Sequence, residues 1–584
     1  MLASALLGVG MVLVMGTMVG AVPDAVAGGF GSVPAGRFRD LVVLVVALWI
    51  LGQFLDATRE AALGILGSRV SIEVMRRLRG IANGPPGIAH LEDPQLQDQR
   101  LRVMGAGTGI PGAMAVVTGL RVLSLWVGSA GSLALLFGLR WWMPLLVGGL
   151  FLRARADTNR LLADLWRNES TVAQMRRAHY FHEQALGIGA AKEVRIFGAG
   201  RWLVDRYATL HGRALDELLA TRRGLRLALV RASVTVGIGV GAVLLVIVLD
   251  TRSGILDVGQ LAIYTGAAMS ATNLAGASDW DQMFAMARSN LEGLSRMQEL
   301  ASPAALGQPV LPAALPPGAP ARGVSFEGVA FAYPGTDREV FAGLDLELVA
   351  GQSLAIVGLN GAGKTTLIKL LTRLYDPTAG RIVVDGVDLV DLDPAAWRAR
   401  VGVIFQDYVR YALPLRDNVA LGAARREVDD GRVLDALRRA GAGDLVDRLP
   451  HGLETILSRR YERGTDLSGG QWQRVALARA LYAAGDGGLL VLDEPTAHQD
   501  VRAEARLFDR FLDLTGGVTT VLISHRFSTV RRADRIAVIE EGRITELGTH
   551  DELMARRATY QRMFSLQASR FDDGVDVRIG APHE

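Results

Sequence analysis

The sequence of 584 residues contains no cysteine. This absence excludes disulfide bonds, zinc sites built from thiolates and any cysteine nucleophile, and it leaves the redox compartment undetermined. An excess of one charge is also lacking, because 63 Lys and Arg residues against 60 Asp and Glu residues give a net charge of only +3. So small a positive excess on a chain of this length does not indicate a nucleic-acid partner.

Lysine is nearly absent from the basic residues. Only Lys192, Lys364 and Lys369 occur, and the remaining positive charge is carried by arginine. A bias of this kind is explained by a GC-rich genome and carries no function by itself. The position of Lys364 inside a glycine-rich loop is what singles it out.

Apolar residues, by contrast, are abundant. They make up 50% of the chain, and the mean hydropathy is +0.25, which indicates that part of the chain lies in a membrane. The length predicts two to four domains. Apolar runs long enough to span a bilayer, or nearly so, predict six membrane spans at 1–22, 40–56, 113–137, 141–152, 227–249 and 258–278. The alternative for the first run is a signal peptide, since Ala25-Val26-Ala27 resembles a cleavage site.

Basic residues are concentrated in two long connections between the predicted spans. The connections 58–112 and 153–226 are rich in arginine, whereas 23–39, 138–141 and 250–257 carry few basic residues. The positive-inside rule therefore predicts that both long connections and both termini face the cytoplasm. Apolar residues recurring every three or four positions predict that these connections are helices projecting well past the membrane.

A proline-rich segment, PVLPAALPPGAPARG at 309–323, separates two kinds of sequence. Its prolines prevent a helix and predict an extended, stiff tether. Beyond it, short β runs alternate with helices, which is typical of an α/β domain. We predict a membrane domain at 1–305, a linker at 306–322, an α/β domain at 323–570 and a tail at 571–584.

The segment LAIVGLNGAGKTTLIKLL contains a phosphate-binding loop from Gly358 to Thr365. An apolar strand precedes the loop and a helix is predicted to begin near Lys364, so the motif has its expected context. Glycines let backbone N–H groups turn toward a phosphate, and the helix N-terminus adds a positive dipole. Lys364 is predicted to reach the β- and γ-phosphates, and Thr365 to bind Mg²⁺.

A second acidic motif, LLVLDEPTAHQD at 489–500, is predicted to be a buried parallel strand that ends in two carboxylates. Ligands bind at the carboxyl ends of such strands. Asp493 is therefore predicted to hold Mg²⁺, and Glu494 to act as the general base for water attacking the γ-phosphate.

Together with LSGGQ at 467–471, these motifs resemble those of an ATP-binding cassette (ABC) transporter half of the exporter type. The resemblance covers almost the whole chain and implies an α-helical six-span transmembrane domain followed by an α/β P-loop NTPase domain of the ABC type. It implies that Tyr333 stacks on adenine, that Gln406 senses Mg²⁺, and that His525 is the switch histidine. Asp500 closes a D-loop that reads AHQD, which departs from the usual pattern.

The resemblance assigns three sets of residues. The catalytic set is Glu494, His525, Lys364 and Gln406, and the metal set is Thr365, Gln406 and Asp493. The predicted ATP-binding set is Tyr333, Gly358, Asn360, Gly361, Gly363, Lys364, Thr365, Thr366, Ser468, Gly469, Gly470 and Gln471.

The signature turn at 468–471 is predicted to be a second phosphate clamp. In the family it closes over the ATP held by the opposite subunit, so the expected partner is a second half, as a homodimer or a heterodimer. ATP and Mg²⁺ are the expected cofactors, and the resemblance implies export of a lipid, peptide, drug or natural product across the plasma membrane. The alternatives are an importer of the same architecture and a soluble cassette protein, against which the six predicted spans argue.

Two further sets of residues are singled out by position. Segments 90–101 and 187–198, in the two long connections, resemble the family's coupling helices. Near the sixth predicted span, Asn273, Asp279 and Asp281 are polar enough to line a substrate path, although solvated helix ends explain them equally well.

Overall fold

The computed structural model of the chain describes residues 2–105, 109–166, 169–276, 278–302, 313–485, 487–494, 517–524 and 526–572. The chain divides into two compact units. Unit 1 comprises 1–84 and 90–305, and unit 2 comprises 85–89 and 306–584.

Unit 1 is built from helices with short 3₁₀ turns at Gly112–Met114, Leu136–Gly138 and Thr272–Ala275. Two helices of 51 and 53 residues are far longer than the roughly 20 residues that a bilayer requires. The helices are α1 (Leu2–Gly20), α2 (Val22–Gly28), α3 (Val33–Asn83), α4 (Ala89–Glu92), α5 (Pro94–Val103), α6 (Ala115–Leu135), α7 (Met143–Trp166), α8 (Glu169–Leu186), α9 (Ala191–Ile196), α10 (Gly200–Arg252), α11 (Val258–Ala271) and α12 (Asp279–Leu300).

Four helical stretches in the described part of the chain are long and apolar enough to cross a membrane: Ala3–Gly28, Val33–Asn83, Gly112–Gly138 and Leu229–Arg252. The remaining two predicted spans also form helices but do not meet that standard. In α7 the apolar run meets Arg153 and Arg155, and α11 ends after 14 residues. The count of six spans therefore stays a prediction.

The first apolar run packs inside unit 1 through glycines. A Cβ atom on Gly259 of α11 would lie 2.8 Å from the carbonyl oxygen of Gly16 and 2.9 Å from the Cα of Gly20. Only small residues allow two backbones to approach so closely in a membrane. This packing of α1 against α11 favours a membrane span over a signal peptide.

Unit 2 contains two sheets. The first has the order β2-β1-β4-β5 with antiparallel pairing, from strands β1 (Gly323–Ala332), β2 (Glu339–Val349), β4 (Ala379–Val384) and β5 (Val387–Asp388). The second has the order β10-β9-β3-β8-β7-β6, parallel except for β10, from strands β3 (Ser353–Gly358), β6 (Val401–Ile404), β7 (Leu489–Asp493), β8 (Thr519–Ile523), β9 (Arg535–Glu540) and β10 (Arg543–Gly548).

Helices cover this second sheet and bury its central strands. Every residue of β7 and β8 is buried, as expected for parallel strands covered on both faces. The helices described in unit 2 are α13 (Lys364–Leu371), α14 (Pro394–Arg398), α15 (Leu415–Ala420), α16 (Asp430–Arg439), α17 (Asp444–Arg448), α18 (Gly469–Ala484), α19 (Phe527–Val530), α20 (His550–Arg556) and α21 (Thr559–Asp572).

Two segments outside the predicted α/β domain pack within unit 2. In the second half of the predicted linker, Ala319 is fully buried in the core beside β1. Residues 85–89 also belong to this unit, and the Ile88 N–H donates a hydrogen bond of 3.0 Å to the carbonyl of Leu374. Residues 85–89 of unit 2 lie just before the predicted coupling segment at 90–101 in the sequence. The start of the linker and the tail from 573 lie outside the described residues.

Candidate functional site

The phosphate-binding loop connects β3 to α13, as the sequence predicts. Gly363 precedes the helix with a φ of +102°, and a Cβ atom there would lie 2.7 Å from the ring of Phe341. Only glycine combines that backbone conformation with that approach. The loop is therefore shaped by packing beneath it as well as by its own sequence.

Lys364 lies at the first position of α13 and points back into the loop. Its Nζ donates hydrogen bonds of 2.9 and 3.0 Å to the carbonyls of Gly358 and Leu359. Burial lowers the pKa of Lys364, while the charges of Glu494 and Asp493 act in the opposite direction. The loop thus holds a buried cation close to two carboxylates.

Asp493 ends β7 directly beside the loop. Its Oδ2 accepts a hydrogen bond of 3.0 Å from the Thr365 hydroxyl, and the residue is only 2% exposed. Burial raises the pKa of the Asp493 carboxyl, the Thr365 bond lowers it, and Glu494 raises it further. A divalent cation would compensate such a buried carboxylate, and a carboxylate beside a hydroxyl is a donor set that suits Mg²⁺.

Glu494 follows with a left-handed backbone, at a φ of +46°. Its N–H donates to the carbonyl of Ile523 at 2.9 Å, which ties the residue to β8. The Gln406 amide, just beyond β6, donates a hydrogen bond of 3.0 Å to the Glu494 carboxylate. Two neighbouring strands thus orient the predicted base. Non-glycine residues with positive φ are uncommon and cluster at functional sites.

Tyr333 lies at the end of β1 and is held from several sides. Its hydroxyl lies 3.0 Å from that of Thr366, and its ring meets Phe331 and Tyr375 edge-on at 5.0 and 5.3 Å. The Lys369 ammonium lies 5.0 Å from the ring centroid. A ring fixed in this way is suited to stacking on a planar base.

One cavity of about 1020 Å³ brings most of the predicted site together. Asp493 lies behind it, bound to Thr365, and Gly358 contributes through its bond from Lys364. The lining residues are Tyr333, Thr336, Arg338, Glu339, Val340, Asn360, Gly361, Gly363, Lys364, Thr365, Thr366, Gln406, Glu494, Glu541 and Gly542.

Six of these lining residues were not predicted. Thr336, Arg338, Glu339 and Val340 follow Tyr333 directly, so their nearness to the stacking ring was a usable signal. Glu541 and Gly542 form the turn between β9 and β10, far along the chain, where no local motif marks them.

The signature turn does not share this cavity. Among the described residues that line it, none comes from 468–471. Ser468 is the N-cap of α18, where its Oγ accepts from the Gln471 N–H at 3.3 Å and its own N–H donates to the Gln471 side chain at 2.8 Å. Ser468, which closes this capping box, is exposed, whereas Gly469, Gly470 and Gln471 at the start of α18 are half-buried.

Two predicted residues cannot be placed. His525 and Asp500, with the rest of the AHQD segment, lie outside the described residues. Ser524, just before His525, is buried at the end of β8.

Both the sequence and the fold of this chain are similar to those of known proteins. The sequence model described as ABC transporter matches residues 341–497. A solved structure of a bacterial Atm1-family ABC exporter with ATP bound superposes with a TM-score of 0.78 at 26% identity, covering 97% of this chain and 98% of that one. These matches support an exporter-type ABC transporter half, with a membrane domain fused to a nucleotide-binding cassette.

Curated relatives match less than half of the chain. An ATP-dependent lipid A-core flippase of Chromobacterium violaceum is 39% identical over 246 residues, which is 42% of this chain and 41% of the relative. The flippase of Ralstonia nicotianae is 43% identical over 249 residues, again 42% and 41%. The matched segment therefore spans about two fifths of the length of these relatives. Lipid A-core is the substrate in the names of those flippases, and the match does not extend it to this chain.

Proposed function

We propose that this chain is one half of a dimeric exporter driven by ATP hydrolysis in the plasma membrane. The observation that carries the proposal is the single cavity in which Tyr333, Lys364, Thr365, Gln406 and Glu494 meet, with Asp493 behind them. The flippases and the exporter among the relatives support export over import. The apolar helices of unit 1 argue against a soluble cassette protein.

Each side chain has a role in holding or cleaving ATP. Tyr333 stacks on adenine, the loop N–H groups and Lys364 bind the β- and γ-phosphates, and Thr365, Asp493 and Gln406 would hold Mg²⁺. Mg²⁺, when bound, neutralises phosphate charge.

Glu494 accepts the proton of the attacking water. The hydrogen bond from Gln406 orients its carboxylate, and the bond from its own N–H to Ile523 fixes its backbone. His525 is proposed as the switch residue from its position after β8 alone.

The start of α18, with its exposed N-cap Ser468, is proposed to complete the ATP site of a second copy. Backbone N–H groups at a helix N-terminus bind phosphate, and the dipole adds to the attraction. Each ATP would then join two cassettes, so ATP binding favours a closed dimer and hydrolysis reopens it. A heterodimer with a related half is the alternative partner.

The cassette is proposed to communicate with the membrane domain through its cytoplasmic connections. Residues 85–89 pack within unit 2, and the helical segments that follow, α4 and α5, lie in the first predicted coupling region. The second predicted region contains α9. Both termini and the cassette are proposed to lie in the cytoplasm, which the positive-inside rule predicts from the arginine-rich connections.

The test is ATP turnover by the purified full-length chain in lipid nanodiscs, followed by transport into inside-out vesicles with a panel of lipids, peptides and drugs. We expect ATP hydrolysis that Glu494→Gln abolishes, and uptake of at least one class of substrate that requires ATP. A chain that binds ATP but shows no turnover in any lipid composition would contradict the proposal.

A further inference from the structure

The sixth predicted span is broken at one point. After α11, the 3₁₀ turn Thr272–Ala275 leads to Gly276, whose φ of +75° is left-handed, and Ser278 then caps α12. Sharp interruptions of a helix have local causes, and a left-handed glycine is one of them. The angle between α11 and α12 is therefore set by what holds this break.

One arginine from another helix reaches both sides of the break. Arg155 of α7 donates from Nη1 to the carbonyl of Leu274, before the break, at 3.5 Å. Its Nη2 donates to the carboxylate of Asp281, after the break, in a close ion pair. The Arg155 and Asp281 side chains are 9% and 2% exposed. A single buried guanidinium thus links the last turn of one segment to the first turn of the next.

Neighbouring groups fix this guanidinium in place. The ring of Trp126, on α6, lies 4.3 Å from the Arg155 Cζ, a cation–π distance. A Cβ atom on Gly276 would lie 2.8 Å from the Arg155 Cγ, so the arginine lies directly on the backbone of the break. The Ser278 hydroxyl donates to the second oxygen of Asp281. The carboxylate is therefore oriented by Ser278 as well as by Arg155.

Burial of this ion pair is not explained by stability alone. Desolvation of two charges offsets much of their attraction, and apolar residues of similar size often replace such pairs without loss. The forked guanidinium has a geometric property that apolar residues lack, because it binds two acceptors at once in a fixed plane. A guanidinium with this property is suited to fixing the angle between α11 and α12.

We propose that Arg155 is a positioning residue that clamps the break, so that α11 and α12 change orientation as one body. The proposal rests on the proposed function, because α12 is the last described helix before the linker to the cassette. A clamped break would make the membrane segment α11 follow any movement of α12.

The test measures the distance across the break in the full-length chain. Because the chain has no cysteine, Leu261→Cys on α11 and Arg288→Cys on α12 introduce two unique spin-label sites on partly exposed residues. Labelled chain is reconstituted in nanodiscs with excess unlabelled chain, so that distances within one chain dominate. We expect one narrow distance peak in the otherwise wild-type chain, with and without ATP, and loss of that peak in Arg155→Met.

A matched control and a double variant test whether Arg155 holds the break in place or only neutralises the buried charge of Asp281. Arg153→Met removes an arginine two residues away that is 73% exposed and paired with Asp157, and we expect the narrow peak to persist. Arg155→Met with Asp281→Leu removes both buried charges together. We expect this double variant to unfold at the wild-type temperature and still to lack the narrow peak.

Arg155→Lys extends the same logic, because it keeps the charge but cannot bridge two acceptors, and we expect no recovery of the peak. A narrow peak in the double variant or in Arg155→Lys would overturn the clamp. So would a second distance that appears in the wild-type background on addition of ATP. These distances require no ATP turnover, so an inactive cassette would contradict the proposed function and leave the clamp standing.

Discussion

The cassette has two glycine-rich turns that each begin a helix, and among the described residues only the first turn lines the cavity of about 1020 Å³. The loop before α13 buries Lys364 and adjoins Asp493 and Glu494, so binding groups and reacting groups lie together. The turn before α18 is exposed, and its serine is engaged by its own helix. Similar local structures thus serve different purposes, because the fold surrounds one with acids and leaves the other facing outward. In the proposed dimer, one chain would therefore supply two unlike halves of a site.

The largest expected effect is on the rate of ATP hydrolysis and comes from Glu494, beside the phosphate-binding loop. Glu494→Gln removes the proposed base while the loop stays intact, so we expect hydrolysis to slow by about 10²- to 10⁴-fold with ATP binding retained. The measurement is phosphate release beside equilibrium ATP binding. Glu541→Gln is the matched control, since Glu541 lines the same cavity but lies in the β9–β10 turn. Turnover near the wild-type rate in Glu494→Gln would remove Glu494 from its role.

The next prediction contrasts the two turns in ATP binding. Lys364→Ala should weaken ATP binding to the dilute, unpaired chain by about 1.5–3 kcal/mol, the scale of hydrogen bonds to a charged group. Ser468→Ala should leave that affinity unchanged, because Ser468 lies outside the cavity. Fluorescence titration with ATP at low protein concentration measures both. Equal losses in the two variants would contradict the division into unlike halves.

A smaller effect is expected for the base-stacking residue. Tyr333→Ala should weaken binding by about 1–3 kcal/mol, the scale of a base–aromatic stack, and should affect GTP and ATP alike. Tyr461→Ala, an exposed tyrosine outside the cavity, is the control. Unchanged nucleotide affinity in Tyr333→Ala would exclude Tyr333 from the site.

The smallest effect concerns the structure of the signature turn. Ser468→Ala removes the N-cap of α18 and should lower the free energy of unfolding by about 0.5–2 kcal/mol. Ser468→Thr keeps a hydroxyl and should restore most of that loss. Denaturant unfolding measures both variants, and an Ala variant as stable as the wild type would show that the capping box adds nothing.

Local sequence motifs predicted the secondary structure around the phosphate-binding loop correctly. The strand before Gly358, the helix from Lys364 and the buried strand ending at Asp493 are all found, because each depends on a continuous run of residues. Gln406 was assigned to the site only through the family resemblance, and its hydrogen bond to Glu494 was not predicted. The contribution of Glu541 and Gly542 was not foreseen, since a turn far along the chain reaches the cavity only through the order of strands in the sheet.

The side-chain contacts within unit 1 were less predictable from the sequence. Apolar runs located its helices, but they gave no sign that Arg155 of α7 and Asp281 of α12 form a buried pair. Such pairs depend on which helix faces lie together, and hydropathy along the chain does not contain that information. For Asp281 the sequence indicated either a substrate path or a solvated helix end, and its partner lies 126 positions earlier in the sequence.

The most direct test that the phosphate-binding loop of one chain and the signature turn of another form one ATP site is nucleotide occlusion in a mixed dimer. One subunit carries Lys364→Ala and its partner carries Ser468→Arg. If each ATP lies between the loop of one chain and the signature turn of the other, both lesions fall in one site and the second site stays intact. Placing both changes in one subunit beside a wild-type partner is the control, because it then damages both sites. We predict one occluded ATP in the split pair and none in the control. No occlusion in the split pair, with one ATP retained in the control, would contradict the shared site.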